Sequence, residues 1–116
     1  MEAKVKVGII HMTESEFSDI ADATLARIER SVESCGAEVD TELKDGGVLE
    51  LEFEDGSKII VNRHAVAREI WVAAKSGGYH FRYADGAWRN TRDGEELFQA
   101  LARYVGEQSG TPVRLA

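Results

Sequence analysis

The sequence predicts an α+β fold, a two-layer αβ sandwich in which two terminal helices pack on one face of an antiparallel sheet. Three observations lead there. Apolar residues recur at helical spacing near both ends of the 116-residue chain, and they alternate with charged residues through its middle. Asp-Gly and Gly-Gly steps separate the alternating runs. Consecutive hairpins make neighbouring strands antiparallel, so the helices at the two ends share one sheet face and the other meets water. The length fits one domain with its own core, which we place at 12–116. Residues 1–11 precede a second methionine, Met12, and read as a dispensable N-terminal extension.

The first helix begins at a capping box, Thr13 with Glu16, and its core stripe is Phe17, Ile20, Leu25, Ile28 and Val32. Gly36 closes it. Asp22, Glu29 and Glu33 lie on the flank away from that stripe. In the first strand Val39, Thr41 and Leu43 alternate with Glu38, Asp40 and Glu42. After the turn Lys44-Asp45-Gly46-Gly47 comes a second alternating run, with Leu49, Leu51 and Phe53 opposing Glu50, Glu52 and Glu54. Asp55-Gly56 turns the chain into a third strand, Lys58 to Asn62. A fourth strand spans Glu69 to Ala73, Gly77-Gly78 reads as the next turn, and Tyr79 to Ala84 is the fifth. Asp85-Gly86 leads to Ala87–Asn90. The last helix starts near Asp93, uses Leu97, Leu101 and Tyr104 or Val105 as its core face, and ends at Gly106. Val113 and Leu115 then tuck against the body.

Charge divides the chain. Between Met12 and Asp55 there are fourteen Asp/Glu against three Lys/Arg, whereas from Gly56 onward nine basic residues face six acidic ones. The net charge of −7 is thus a property of one half. Crowded like charges repel, so such a surface suits a cation or a cationic partner, the alternative being a solvated face that keeps the protein soluble. The acidic balance argues against a nucleic-acid partner. No apolar run reaches membrane-spanning length, and the start lacks a secretory or transit pattern, which argues against a membrane. A lone cysteine, Cys35, excludes an internal disulfide, a Cys-based zinc site and a protein-ligated iron–sulfur cluster, and a reducing cytoplasm is the simplest home.

Strand parity selects a second surface. With Ile70 and Val72 turned to the helices, Glu69 and Trp71 face solvent, and Ile59 and Val61 go inward while Ile60 and Asn62 do not. A tryptophan on an open sheet face beside an asparagine is a binding anchor unless a loop covers it. Trp88, after Tyr79, Phe81 and Tyr83, instead helps close the core. The carboxylates of Glu29, Glu33, Glu38, Asp40 and Glu42 can converge where helix meets first strand, and oxygen-only ligands suit hard cations such as Fe(II), Fe(III), Mn(II) or Ca(II). Side chains on a regular helix and a strand edge cannot wrap an ion, so binding is expected to be weak. Asp40 to Gly46 is not an EF-hand, because Lys44 takes a ligand position and the glycine comes one residue late. His11, His64 and His80 show no metal-ligand spacing, and no nucleophile elbow, phosphate-cradling loop or Cys/His pair is present.

The run Leu51-Glu52-Phe53-Glu54-Asp55-Gly56-Ser57-Lys58-Ile59-Ile60-Val61-Asn62, followed by Ile70-Trp71, Gly77-Gly78-Tyr79-His80-Phe81 and Trp88, closely resembles bacterial frataxin, the CyaY family. So does the start Met12-Thr13-Glu14-Ser15-Glu16-Phe17. The resemblance covers about Met12 to Leu115 and implies the frataxin-like sandwich described above. It also implies a cytoplasmic, non-enzymatic, iron-binding regulator or adaptor of iron–sulfur cluster assembly. Carried over by position, the iron-binding acidic ridge falls on Glu29, Glu33, Glu38, Asp40 and Glu42, with Asp19 and Asp22 further up the helix. The surface for partners, namely the cysteine desulfurase and the iron–sulfur scaffold protein, falls on Asn62, His64 and Trp71 together with Glu38 and Asp40. The chain is expected to be a monomer that binds Fe2+ or Fe3+ weakly, with iron-induced oligomers open. It departs from the family pattern at His64 and Val66, where relatives carry Gln and Pro, and at Arg30, Ser31 and Ser34, where relatives concentrate carboxylates. The alternatives are a ferroxidase, with weak activity at the same ridge, and a simple iron buffer.

Overall fold

The computed structural model describes residues 12–116, so the extension assigned to 1–11 lies outside the described residues. Its elements are α1 (Glu14–Glu33), β1 (Val39–Lys44), β2 (Val48–Phe53), β3 (Lys58–His64), β4 (Glu69–Ala74), β5 (Gly77–Ala84), β6 (Ala87–Asn90) and α2 (Leu97–Ser109). The six strands pair in sequence order, each antiparallel to the next. Both helices cover the same face, as the alternation along the strands predicts.

α1 opens on the expected capping box. Thr13 Oγ1 accepts from Glu16 N–H at 3.0 Å and Glu16 Oε1 accepts from Thr13 N–H at 2.9 Å. Its buried stripe is Phe17, Ala21, Leu25, Ile28 and Val32, and Ile20 is only half-buried. These meet Leu49, Leu51, Ile59, Val61, Ile70, Val72 and Phe81 from the sheet. Each large side chain buried here contributes about 1.5–3 kcal/mol. Trp88 does close the core: it is 3% exposed, lies edge-on to Phe17 with ring centroids 6.0 Å apart, and donates its indole N–H to Thr24 Oγ1 at 3.0 Å.

Four local expectations are corrected. Gly77-Gly78 is not the fourth turn. Lys75-Ser76 makes that turn, and both glycines begin β5, pairing with Ala74 and Ala73. Gly77 leaves the turn at φ +150°, a conformation that favours glycine, which accounts for the first of the pair. α2 starts at Leu97 rather than Asp93, because Asp93 Oδ1 instead accepts from Glu95 N–H in a local turn. Glu96 caps the helix through both carboxylate oxygens, which accept from Phe98 and Gln99 N–H. α2 runs through Gly106 and ends at the left-handed Gly110; Gly106 leaves room for Thr111 and Pro112, which cross back over the helix. Leu43, expected inward, is 42% exposed at the end of edge strand β1.

Candidate functional site

The open face of the sheet carries two unlike surfaces. The first is the acidic edge. Among the described residues β1 pairs only with β2, and the register sets Asp40 directly across from Glu52 and Glu42 across from Glu50. Like charges opposed in this way repel. Around Glu50 the repulsion is offset by Lys44 at 3.4 Å and Lys58 at 3.5 Å. Desolvation pushes the Glu50 carboxyl up, but hydrogen bonds and charge attraction from the two lysines together hold it below the ordinary 4.5. Asp40 and Glu52 have no such cation within ion-pair distance among the described residues. With Glu38 and Glu54 they line a shallow groove over Phe53.

Glu33 joins this edge from the helix, its Oε2 accepting from Thr41 Oγ1 at 2.9 Å, and Glu29 stands half-buried one turn earlier. Glu38, Asp40 and Glu42 are exposed. Asp22 does something else: it pairs with Arg63 at 2.7 Å, and the Arg63 side chain crosses so close over Gly47 that a Cβ there would meet it at 2.3 Å. Asp22 therefore locks α1 to the sheet. It stands about 16 Å of helix axis from Glu33, and exposed Asp19 is further still. Among the described residues no three His, Cys, Asp or Glu side chains come close enough to hold one ion. The carboxylates form an oxygen-donor field that suits a hard cation in loose geometry, without a chelating cage.

The second surface is the centre of the face. Asn62, Trp71 and His80 stand side by side across β3, β4 and β5, and His64, Glu69 and Arg82 form the adjacent row. Trp71 faces away from the helices, as parity predicts, but the ring expected to stand there bare is sandwiched. His64 stacks on one side at 3.8 Å between centroids and 13°, and His80 on the other at 4.4 Å and 7°. Glu69, expected to be exposed, is 5% exposed beneath them. One of its oxygens accepts the Trp71 indole N–H at 2.9 Å and lies 3.6 Å from His80 Nδ1, and the other pairs with Arg82. A buried carboxylate with these partners is satisfied, and it fixes the indole in rotation as well as position. His64 is held in turn by Ala67 N–H, which donates to its Nδ1 at 3.3 Å. Asn62 Nδ2 donates to Arg63 O at 3.2 Å, and the residue is half-buried. Val66 is 89% exposed in the β3–β4 loop beside the stack.

The sequence reading missed His80 and Arg82 in this surface, and Glu52 and Glu54 at the edge; it set Glu69 on this face but not its burial. The misplaced turn explains His80 and Arg82. A hairpin centred on Gly77-Gly78 sets Trp71 opposite Ala84, whereas the Lys75-Ser76 turn sets it opposite His80. For the edge the signal was present, since a turn centred on Gly46 already pairs Asp40 with Glu52.

Comparison with known proteins agrees with this architecture. The family described as Frataxin-like domain matches residues 10–111. An iron-sulfur cluster assembly protein CyaY from Dechloromonas aromatica is 52% identical over 104 residues, covering 90% of this chain and 99% of that protein. The CyaY of Ralstonia nicotianae is 55% identical over 107 residues, covering 90% and 95%. Among solved structures, frataxin from Psychromonas ingrahamii superposes with a TM-score of 0.83 at 35% identity, covering 90% of this chain and 99% of that one. A trimeric, ferrous-complexed frataxin from the yeast Saccharomyces cerevisiae gives 0.62 at 25% identity, covering 89% and 91%.

Proposed function

This chain belongs to the frataxin-like family, and we propose that it is a non-enzymatic assembly protein of iron–sulfur cluster biogenesis that docks on the cysteine desulfurase. The names of its CyaY relatives support the pathway, and the two surfaces of the open sheet face support the mode of action. The observation that carries the reading is the indole of Trp71, held rigid by His64, His80 and Glu69 on the uncovered face and flanked by an unneutralised carboxylate edge.

The proposed mechanism has two parts. The acidic edge, with Glu38, Asp40 and Glu42 foremost and Glu29 and Glu33 behind, steers the protein onto a basic patch of the desulfurase, giving a fast and salt-sensitive encounter. The Trp71 platform and Asn62 then anchor the sheet face against the same partner or the scaffold protein. A preformed aromatic anchor loses little conformational freedom on binding, so less of its contact energy is offset by ordering. Fe(II) or Fe(III) is cargo here, bound weakly by carboxylates of the edge. Glu52 and Glu54 extend the donor set of Glu38 and Asp40, whereas Asp22 is occupied by Arg63 and Asp19 stands apart. Each bound cation cancels part of the field that steers docking, so iron loading weakens the encounter.

Titration of the desulfurase at low and high salt tests the proposal. Affinity is expected to fall steeply with salt, and the Glu38→Gln/Asp40→Asn/Glu42→Gln variant is expected to bind more weakly and with a shallower salt dependence. Affinity indifferent to both salt and that variant contradicts electrostatic docking.

A further inference from the structure

On the helical side of the molecule, away from both surfaces above, a cavity of about 550 Å3 opens between α1, the β5–β6 turn and the start of α2. Its walls are apolar, with Ile20, Tyr83, Trp88, Phe98 and Leu115 foremost. The polar groups inside answer one another: the Trp88 indole N–H goes to Thr24 Oγ1, and Thr24 Oγ1 donates to Ile20 O at 2.8 Å. Glu96, at the rim, has both carboxylate oxygens engaged in capping α2.

Next to this cavity lies a second, cationic hollow lined by Arg27, Arg30, Arg114, Ser31 and Ser34. Arg27 and Ala116 line both, so the two are neighbours that share a wall. The Arg27 guanidinium lies 4.2 Å from the Phe98 ring centroid, which fixes it at the junction of apolar wall and basic mouth. The wall formed by the last residues is tied down by Ala116 N–H, which donates to Ser31 Oγ at 2.9 Å. Among the described residues none of the three guanidinium groups is in an ion pair. Arg27 and Arg30, on a helix whose other charges are acidic, and Arg114, on the segment after α2, are exposed and line a single hollow.

We propose that this cleft binds a small amphipathic anion, with an apolar body in the cavity and a carboxylate-type oxyanion head on Arg27, Arg30 and Arg114. The size and apolar lining match small-molecule sites, which add a few convergent polar groups to fix orientation. Guanidinium forks supply that orientation through paired N–H···O bonds. The inference is independent of desulfurase docking, since the cleft lies on the layer opposite the open sheet face.

Heteronuclear NMR titration of the full chain with octanoate, 1-octanol and acetate tests it. Octanoate is expected to shift the Trp88 indole N–H, Phe98 and Leu115 with a Kd at least about tenfold below those of octanol, which lacks the head, and acetate, which lacks the body. In the Arg30→Gln/Arg114→Gln variant, whose altered side chains are exposed and so leave the fold intact, octanoate affinity is expected to drop about tenfold while that of octanol is unchanged. Octanoate binding no tighter than both controls, shifts that map elsewhere, or equal binding by the variant overturns the proposal.

Discussion

The acidic edge and the aromatic centre occupy one sheet face, yet they are built in opposite ways. At the edge, Asp40 faces Glu52 and Glu42 faces Glu50 across an outermost strand pair, and among the described residues Asp40 and Glu52 lack a countercharge. At the centre, a single buried carboxylate, Glu69, answers the Trp71 indole N–H, His80 and Arg82 together, and two imidazoles clamp the ring. The edge accepts repulsion and stays adaptable; the centre satisfies every group and stays rigid. An adaptable charged field suits attraction at a distance and loosely held cations, and a rigid anchor suits a specific contact. Steering and anchoring are therefore separable, so substitutions can remove one and leave the other.

The largest expected effect is at the centre. Trp71→Ala should weaken desulfurase binding by about 2–4 kcal/mol, the range of a buried aromatic anchor, measured by calorimetry. Because Trp71 lies outside the core cluster, the thermal midpoint should move far less than it does for a core truncation such as Ile28→Ala. Equal loss of stability in the two variants would erase the distinction between anchor and core.

Glu69→Ala sharpens the comparison. It leaves the indole N–H without its partner and frees Arg82 to solvent, at a cost of about 1–3 kcal/mol in chemical denaturation. Binding should weaken too, with the salt dependence unchanged, because the edge is intact. At the edge itself, Asp40→Asn should leave stability within about 0.5 kcal/mol or raise it slightly, since it relieves repulsion from Glu52. Its effect on binding should appear at low salt and vanish at high salt.

The pH response separates the regions further. Hydrogen bonds from Ser57, joined by the charge of Lys75 at 3.6 Å, hold Asp55 below its ordinary 3.8, and the two lysines hold Glu50 below 4.5. A lowered folded-state pKa gives stability that is present above the unfolded value and lost as pH falls through the folded one. Lys44→Gln/Lys58→Gln should therefore narrow the stability difference between neutral and acid pH, followed by circular dichroism. The smallest effect belongs to the core. Burial, with the nearby Tyr79 adding to it, pushes Tyr104 up to about 12, and among the described residues its hydroxyl has no hydrogen-bond partner. A raised folded-state value leaves stability intact below the unfolded 10.0 and removes it as pH rises toward 12. Tyr104→Phe should abolish that alkaline loss and be within about 0.5 kcal/mol of neutral otherwise.

Much of this was legible in the chain. Period-two alternation placed Leu49, Leu51, Ile59, Val61, Ile70 and Val72 inward, and the capping box at Thr13 started α1 at the right residue. The sandwich then follows from hairpin order. What escaped depended on a single register. Two glycines after Lys75-Ser76 look like a turn, yet they only accommodate the exit from one, and an error there slides Trp71 away from His80. Burial of Glu69 escaped for a different reason: alternation says which face a carboxylate is on, but not that neighbouring rings will roof it. Asp22 reads as one more acid on the helix flank because its partner, Arg63, is 41 residues away.

The molecule supplies its own reporters for the central claim, because its two tryptophans divide between the anchor and the core. A heteronuclear NMR titration, adding first Fe(II) and then the desulfurase, follows both indole N–H signals with the backbone of the acidic edge. Iron is expected to perturb Glu38 to Glu42, Glu52 and Glu54 while both indoles stay in place. The desulfurase should then move the Trp71 indole together with the edge and leave Trp88 unmoved. A Trp71 signal that responds to iron alone, or that stays still when the desulfurase binds, would contradict the separation of steering from anchoring.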